Sequence, residues 1–311
     1  MFLVCGEALM DVFSLGDTAR GVGLDARIGG SPFNVAVGLA RLGQPVAFFG
    51  GVSTDFLGDR LVRALRDEGV ALQAVQRLDA PTTLSMVGVD SEGRPSYAFH
   101  GHGAADRLLG PDAVARLDLR PAVVHVGSYV TVVEPAAAAV RALVEREHGR
   151  ALIAFDPNVR LNVEPRVERW REALEWLVRR ADVVKISDED LGLLYPGQAA
   201  ETLAAGWLRD GVGLVVLTRG EHGSQAFTAT QRVSVPAEPC ALVDTVGAGD
   251  TFQAALLTWL AEHACLNAAQ LRALPAASLA DALAFAGRAA AITCSRQGAD
   301  LPHRAELAAA R

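Results

Sequence analysis

Short apolar runs recur along the chain, and from its middle onward they begin about 30 residues apart, the length of a strand followed by a helix. They cover residues 2–5, 46–50, 123–126, 152–155, 183–186 and 214–217. Because they are apolar throughout rather than alternating, they predict parallel strands that are covered on both faces. Helical patterns such as residues 135–147 and 167–179 separate them. The pattern predicts an α/β fold in which helices flank a central, mostly parallel sheet.

Two other segments depart from this pattern. Residues 22–28 alternate apolar and polar side chains, which is typical of a strand with one buried and one solvated face. Residues 83–89 and 96–99 predict the strands of a hairpin joined by residues 90–94. We predict a small antiparallel sheet whose strands are inserted at about 11–28 and 80–103 of a single domain spanning residues 1–311. This sheet could act as a lid, or it could be an ordinary sheet edge.

The last third of the chain is rich in alanine and predicts helices over residues 250–263 and 278–293. Residues 308–310 predict helix surface or a frayed tail.

No targeting or membrane-spanning segment is expected from the sequence. The N-terminus lacks the basic region of a signal peptide. Because no run of 18 apolar residues stands out, we expect no membrane-spanning segment.

Composition and charge exclude several classes of protein. With 50% hydrophobic and 21% charged residues, the chain of 311 residues is typical of a globular protein. Its 29 basic and 36 acidic residues leave a net charge of −7, which argues against nucleic-acid binding. The four cysteines form no Cys-x-x-Cys pair, which argues against a zinc site and indicates a cytoplasmic protein. Because Lys185 is the only lysine, a Gly-Lys-Ser/Thr phosphate loop is excluded.

A predicted strand over residues 241–243 leads into the glycine-rich segment Asp-Thr-Val-Gly-Ala-Gly-Asp-Thr-Phe. Gly247 and Gly249 would let backbone N–H groups around Ala248 converge at the start of a helix, which makes this turn a candidate anion site. Asp250 falls beside that anion and could take a proton from a hydroxyl that attacks a bound phosphorus. The alternative is that Asp250 only caps the helix and the glycines only turn the chain.

A second glycine-containing turn, Gly-Gly-Ser-Pro-Phe-Asn, links the alternating strand to a helix. Gly29 and Gly30 would permit a small polar ligand to approach the backbone closely, and Ser31 is the predicted N-cap. Asn34 offers both a donor and an acceptor, as sugar hydroxyls require. The alternative is a tight strand–helix turn with Asn34 on the surface.

Polar residues also follow several other predicted strands, at the sheet edge where α/β proteins bind ligands. They are Asp11, Arg160, Lys185, Ser187, Asp190, Thr218, Gly220 and Gly223. Asp11 could accept two hydroxyl hydrogen bonds, Arg160 could pair with a phosphate or substrate oxygen, and Asp190 could hold Mg²⁺ through water. Each has a plainer alternative, such as a solvated aspartate, a surface arginine or an acidic first helical turn. Together they indicate one set of loops for a polyhydroxyl ligand and another for phosphates.

Residues 29–43 and 244–252 resemble the two signatures of the ribokinase (PfkB) family of carbohydrate kinases. The resemblance in order and spacing runs from about residue 2 to about residue 303. It implies a central α/β sheet with a small β lid over a sugar, and binding of ATP without a phosphate loop. It also implies the use of Mg²⁺ and K⁺. Dimerisation through the lid occurs among relatives, which makes a homodimer a further expectation.

The resemblance implies a role for each matching residue. Asp250 would be the catalytic base, and the backbone of Gly247, Ala248 and Gly249 would form the anion hole. The sugar would contact Asp11, Gly29, Gly30, Asn34, Phe99 and Arg160. The nucleotide would contact Lys185, Ser187, Thr218, Gly220 and Gly223. A monovalent cation would bind at Asp244, Val246, Thr293 and Gly298.

The sequence departs from the family pattern at the metal-linked motif Asn-x-x-Glu, which reads Ser-Asp-Glu-Asp over residues 187–190. Segments such as Tyr-Ala-Phe-His over residues 97–100 and Asp-Pro-Asn-Val-Arg over residues 156–160 are similar to those of bacterial fructokinases. They imply phosphorylation of D-fructose to fructose 6-phosphate. Kinases of 2-keto-3-deoxygluconate share the second segment, and ribokinase activity is another alternative. An alternative of a different class is a non-catalytic sugar or nucleotide sensor on this scaffold.

Overall fold

The computed structural model describes residues 1–89 and 95–309 and places eight strands, numbered here in chain order, in one central sheet. They are β1 (Phe2–Cys5), β4 (Val46–Phe49), β9 (Val123–Gly127), β10 (Leu152–Asp156), β11 (Val183–Ser187), β12 (Leu214–Thr218), β13 (Ser224–Phe227) and β14 (Arg232–Val235). Their spatial order is β14-β13-β12-β11-β10-β9-β1-β4. All neighbours pair in parallel except β12–β13 and β13–β14. The predicted mostly parallel sheet is confirmed, and β13 and β14 add an antiparallel edge that was not predicted.

Helices cover both faces of this sheet. They are α1 (Ser31–Arg41), α2 (Phe56–Asp67), α3 (Pro111–Ala115), α4 (Ala136–Glu147), α5 (Val167–Val178), α6 (Asp188–Leu194), α7 (Ala200–Arg209), α8 (Ala248–Glu262), α9 (Ala268–Arg272), α10 (Ala276–Cys294) and α11 (Arg304–Ala309). One apolar cluster packs α1, α2 and α8–α11 on the face that carries Val4, and another packs α3–α7 on the face that carries Leu3. Successive residues of a strand point to opposite faces, so a strand buried on both sides is apolar throughout.

Four more strands form a separate small sheet next to the carboxyl end of β1. They are β2 (Leu9–Thr18), β3 (Gly21–Gly29), β7 (Leu84–Val89) and β8 (Pro95–His100), in the order β3-β2-β7-β8. The pairs β2–β3 and β7–β8 are antiparallel, as predicted, whereas β2 and β7 run in parallel. The predicted turn at residues 90–94 lies outside the described residues. A further parallel pair joins β5 (Gly51–Ser53) and β6 (Gln76–Leu78).

Two local predictions near the site are wrong. Residues 241–243 form no strand, because this exposed segment is held by α10 instead: Val243 and Asp244 donate their backbone N–H groups to the Cys294 carbonyl oxygen at 2.8 and 3.2 Å. Helix α1 takes Gly30 as its N-cap rather than Ser31, so the hydroxyl of Ser31 is free to bond elsewhere. The first difference arises from a contact with a residue distant in the sequence.

Helix α10 also differs from expectation. Over its 19 residues it is long and apolar enough, with a mean hydropathy of 1.2, to cross a membrane by length and composition alone. In this structure its buried side chains, among them Leu279, Leu283 and Ala286, pack in the core cluster that contains α8. Packing of this kind is what the core helix of a globular protein requires.

Candidate active site

The glycine-rich turn that precedes α8 has a backbone shape that only glycine adopts easily. Gly247 is the N-cap of α8 and has a φ of 77°, in the left-handed region. A Cβ at this position would lie 2.6 Å from the Cβ of Ala299, so the neighbouring loop leaves no room for a side chain. The first N–H groups of α8 therefore converge at this turn with the positive end of the helix behind them, which makes the turn suitable for an anion.

Asp250 lies in the first turn of α8 and is buried. Its Oδ1 accepts a hydrogen bond from the Ser31 hydroxyl at 2.6 Å, and its Oδ2 accepts one from the Asn34 Nδ2 amide at 2.8 Å. Two donors hold the carboxylate in one orientation beside the anion turn. The structure thus joins the two glycine-containing segments of the sequence through Asp250. The role of Ser31 was missed, because a serine before a helix normally predicts an N-cap.

Asp11 lies across from these residues on strand β2 of the small sheet. A Cβ at Gly29 would collide with its Oδ2, so glycine at position 29 gives the carboxylate its space. Burial raises the pKa of Asp11, while a hydrogen bond from Ser85 and the positive charge of Arg160 act in the opposite direction. Asp11 packs against Gly29, two residues before the Ser31 that bonds to Asp250, so the two carboxylates lie in the same region.

Phe99 borders the same region. It pairs with Ser85 between β7 and β8, and its ring meets that of Tyr129 edge-on, with 6.2 Å between the centroids. Gly30 also contributes, because its φ of 108° and the carbonyl oxygen of Glu7, 2.8 Å from where a Cβ would be, both exclude a side chain. An apolar ring and bare backbone next to polar groups suit a sugar.

Arg160 is exposed. Its positive charge opposes the rise in pKa that burial causes at Glu7, Asp11, Asp156 and Asp190. Arg160 therefore offsets the acidic character of this part of the site.

Lys185 lies behind the anion turn and is buried. Its Nζ donates to Asp156 Oδ2 at 2.7 Å, and both side chains are almost fully buried. The Nζ also lies 3.2 Å from where a Cβ of Gly249 would be. Burial raises the pKa of Asp156, and the charge of Lys185 opposes this effect. The lone lysine thus places a positive charge directly behind the turn.

The nucleotide-side residues meet at the carboxyl ends of β11 and β12. Ser187 pairs with Thr218 between the two strands, and its hydroxyl also accepts the N–H of Asp190 at 3.0 Å as the N-cap of α6. Gly220 and Gly223 have φ values of 49° and 79°, so the turn after Thr218 needs glycine twice. A Cβ at Gly223 would also collide with the carbonyl oxygen of Val235.

Asp190 is the carboxylate of the altered motif. Its Oδ1 accepts the Val159 N–H at 3.1 Å. Burial, followed by the nearby charge of Asp156, raises its pKa from 3.8 to about 6. Asp156 Oδ1 is buried and has no hydrogen-bond partner among the described residues. Two crowded carboxylates with an unpaired oxygen suit a divalent cation, although the described residues hold no group of three metal-ligating side chains.

The candidate cation loop is held together by Asp244. Its two carboxylate oxygens accept the N–H groups of Val246 at 3.1 Å and Gly298 at 2.8 Å. Thr293 is fully buried, and its hydroxyl lies 2.8 Å from that of Thr251 in α8. These bonds bring all four predicted cation-site residues next to the anion turn. The carbonyl oxygens of Thr293 and Gly298 accept the N–H groups of Arg296 at 3.0 Å and Asp300 at 2.9 Å. Backbone carbonyl oxygens are among the donors that hard cations prefer.

Glu7 is a further acid that sequence reasoning left out. It is fully buried, and its Oε2 has no partner among the described residues. Burial raises its pKa from 4.5 to about 8, with Asp106 adding to the rise and Ser128 and Arg160 opposing it. Glu7 follows β1 after a single glycine, and an acidic residue so close to the carboxyl end of a buried strand is the signal that could have indicated its place near the site.

We expect Glu7→Gln to flatten the pH dependence of stability. Because the folded-state pKa is raised, the folded protein keeps this proton while the unfolded chain loses it. The contribution of Glu7 to the free energy of unfolding is therefore fully present below pH 4.5. It is lost as the pH rises toward 8, by up to about 1.4 kcal/mol per pH unit. Urea denaturation of both proteins at several pH values measures the difference. Glu221→Gln, at an exposed site, is the control, and an unchanged slope in Glu7→Gln would contradict the expectation.

Comparison with known proteins identifies the family. Residues 1–305 match the sequence profile of the pfkB family carbohydrate kinases. The chain belongs to the PfkB family. A fructokinase of Rhizobium leguminosarum bv. trifolii is 34% identical over 274 residues, which cover 88% of this chain and 84% of that protein. The family resemblance seen in the sequence is confirmed.

Solved fructokinase structures share the fold of this PfkB protein. Fructokinase from Xylella fastidiosa with bound ATP has a TM-score of 0.87 at 27% identity, covering 99% of this chain and 97% of that one. Fructokinase from Vibrio cholerae O395 in a form with fructose, ADP and calcium ion has a TM-score of 0.82 at 28% identity, with the same coverage. A double mutant of the Vibrio enzyme, solved with fructose, ADP and potassium ion, is equally similar. The present chain is an ATP-dependent sugar kinase with a ribokinase-like fold.

Proposed function

We propose that this enzyme transfers the γ-phosphoryl group of ATP to the 6-hydroxyl of D-fructose, with Asp250 as the general base. The observation that carries the proposal is the position of Asp250. It lies in the first turn of α8 beside the glycine turn, and Ser31 and Asn34 hold it in place. A fixed carboxylate next to an anion cradle is what phosphoryl transfer to a hydroxyl requires.

In this mechanism the sugar hydroxyl lies between Asp250 and the γ-phosphorus. Asp250 takes the hydroxyl proton as the sugar oxygen bonds to phosphorus and the bond between phosphorus and the ADP oxygen breaks. The backbone N–H groups of Gly247, Ala248 and Gly249 stabilise charge on the transferring group. The small sheet acts as a lid that excludes water, which would compete as acceptor. The sugar is held by Asp11, Gly29, Gly30, Asn34, Phe99 and Arg160.

The carboxylates around the proposed sugar site favour fructose over an acidic sugar such as 2-keto-3-deoxygluconate. Asp11 packs against Gly29, and Asp250 is bonded to Ser31 two residues further on, so two protein carboxylates already lie in this region. Adding a substrate carboxylate beside them is unfavourable, whereas a neutral sugar brings only hydroxyl groups.

We further propose that the nucleotide contacts Lys185, Ser187, Thr218, Gly220 and Gly223. Asp190 would hold Mg²⁺ through water, which would offset charge on the phosphates when bound. The backbone oxygens of the loop formed by Asp244, Val246, Thr293 and Gly298 would hold K⁺. The crowding of Asp190 against Asp156 and the ties that Asp244 makes across its loop support these two assignments.

Several wider assignments complete the proposal. The chain would form a single domain over residues 1–311, with the small sheet inserted as its lid. The exposed apolar side chains of Leu15, Val22 and Leu24 on that sheet support a homodimer through the lid. The four free cysteines support a cytoplasmic enzyme. The acidic net charge supports a small-molecule enzyme with no nucleic-acid or membrane partner.

Coupled ADP release tests the substrate. With Mg-ATP and K⁺ present, we expect fructose to exceed ribose, 2-keto-3-deoxygluconate and fructose 6-phosphate by about 100-fold or more in kcat/KM, which is about 2.7 kcal/mol at the transition state. The Asp250→Ala variant, purified in the same way, controls for contaminating kinases.

The other outcomes are equally informative. Preference for the keto acid would contradict the argument from Asp11 and Asp250 and make Arg160 the receptor of the substrate carboxylate. Calorimetric binding of fructose without turnover of any of the four would overturn the proposal that fructose is the substrate.

A further inference from the structure

Arg27 is a positively charged side chain on the inner face of the small sheet that the proposed mechanism does not use. It lies on β3 directly opposite Asp11 of β2. Residues paired opposite each other in an antiparallel ladder project to the same face. Arg27 therefore lies on the face of the sheet that carries Asp11, and Asp11 packs against Gly29, two residues before the Ser31 that bonds to Asp250. Within the four described strands of this sheet, Arg27 is the single arginine or lysine.

The guanidinium of Arg27 reaches from the small sheet to the loops beside the anion turn. Its Nη1 lies 3.7 Å from where a Cβ of Gly298 would be. The residue after Gly298 is Ala299, which packs against Gly247 at the N-cap of α8. Arg27 thus spans the mouth of the site and ends next to the turn where the transferred phosphoryl group would lie.

The present partners of Arg27 leave it free to change position. Its Nε donates to Asp25 Oδ2 at 2.7 Å, and the guanidinium lies 4.9 Å from the centre of the Phe13 ring. The two charged side chains are 32% and 38% exposed. Ion pairs this exposed are weak, whereas a bidentate pair between arginine and phosphate is strong and directional. Asp25 and Phe13 therefore hold Arg27 near the site by interactions weak enough to be exchanged for a phosphate.

The charge balance around the site explains why such a cation is useful. Carboxylates surround the region, those of Asp11, Asp156, Asp190, Asp244 and Asp250. A nucleoside triphosphate brings more negative charge, which is spread over the three equatorial oxygens of the transferring group during the reaction. Lys185 is paired with Asp156, and Arg160 belongs to the loop after β10 rather than to the small sheet. Arg27 is the cation that the small sheet itself can bring to the nucleotide.

We propose that Arg27 is a further catalytic residue, which leaves Asp25 when ATP binds and contacts the γ-phosphoryl oxygens as the small sheet closes. This inference rests on the proposed function, because it takes the anion turn as the place of phosphoryl transfer. The guanidinium of Arg27 would stabilise the negative charge of the γ-phosphoryl group more strongly than a water molecule does. Because Arg27 belongs to the small sheet, this contact would couple lid closure to the presence of the γ-phosphate.

The decisive experiment compares ligands with and without that phosphate. For Arg27→Met we expect kcat to fall about 100-fold, with the KM of fructose changed by less than about 3-fold. Calorimetry should show that a non-hydrolysable ATP analogue binds about 10-fold more weakly, while the Kd of ADP is unchanged. Arg27→Lys should recover part of the lost kcat. Asp25→Asn should leave binding of the analogue as tight as in the wild type, or tighter.

Arg20→Met is the matched control, since it removes an exposed arginine from the turn between β2 and β3, away from the site. The proposal is overturned if Arg27→Met keeps kcat within about 3-fold of the wild type, or if binding of ADP and of the analogue weakens equally. Failure of the proposed function has a different signature. The wild-type enzyme would then turn over no fructose, while the difference between the analogue and ADP is measured by binding and needs no turnover.

Discussion

The Asp250→Ala variant is expected to lose about 10³-fold or more in kcat, while the Kd of fructose stays within about 3-fold of the wild-type value. The variant lacks the group that accepts the hydroxyl proton, so the sugar oxygen must attack as a poor nucleophile. Sugar binding persists because Asp11, Asn34 and the backbone at Gly30 remain. Steady-state ADP release and calorimetric titration with fructose measure the two quantities separately.

Ser31→Ala is the matched control for this prediction. It removes one of the two donors that orient Asp250 but keeps the carboxylate. A single hydrogen bond to a charged group is worth about 1.5–3 kcal/mol, so we expect a loss of about 10-fold to 100-fold in kcat. If Asp250→Ala retained a tenth of wild-type turnover, or if Ser31→Ala lost as much as Asp250→Ala, Asp250 would not be the base.

The largest effect on stability is expected for Lys185→Met, which removes the partner of Asp156. Both side chains are almost fully buried, and their atoms are 2.7 Å apart. Breaking a buried ion pair by removing one member leaves an uncompensated charge and typically costs about 3–5 kcal/mol of unfolding free energy. Methionine has nearly the shape of lysine without its charge, so the loss is electrostatic rather than a cavity effect. Urea denaturation at neutral pH measures it.

The double variant Lys185→Met/Asp156→Asn tests the cause of that loss. With both charges removed, no buried carboxylate is left unpaired at this position, and most of the lost stability should return. Turnover should not return with it, because the positive charge behind Gly249 is still missing. A single variant that loses less than about 1 kcal/mol, or a double variant no more stable than the single one, would contradict this account.

Much of the fold could be predicted from the sequence because it follows from burial. Strands such as Phe2–Cys5 and Val123–Gly127 are covered on both faces, so they are apolar throughout and can be recognised without knowing which strands lie beside them. The predictions failed where local pattern and tertiary contact disagree. Leu242 and Val243 have the apolar pattern of a strand, but their side chains are 68% and 62% exposed, and the N–H of Val243 bonds to the end of α10 instead.

The sequence predicted the two glycine-containing turns of the candidate site, each with the helix start that follows it. Gly247, Gly249 and Asp250 belong to a turn and a helix start that are local in sequence, and Gly30 and Asn34 belong to another. Glycines mark such turns because their backbone shapes and close contacts exclude other residues. The resemblance to the PfkB family assigns both segments to one active site, and the family match confirms that resemblance.

By itself, then, the sequence determined the α/β class, the glycine turns, the carboxylate beside one of them and the family. Only the tertiary structure decided which side chains meet. Ser31 and Asp250 are 219 residues apart, Lys185 lies behind Gly249, and Arg27 reaches Gly298. The physical reason is that hydrogen bonds and ion pairs depend on distances of a few ångströms between loops. Those distances are fixed by how the strands order themselves in the sheet, which no local pattern of residues contains.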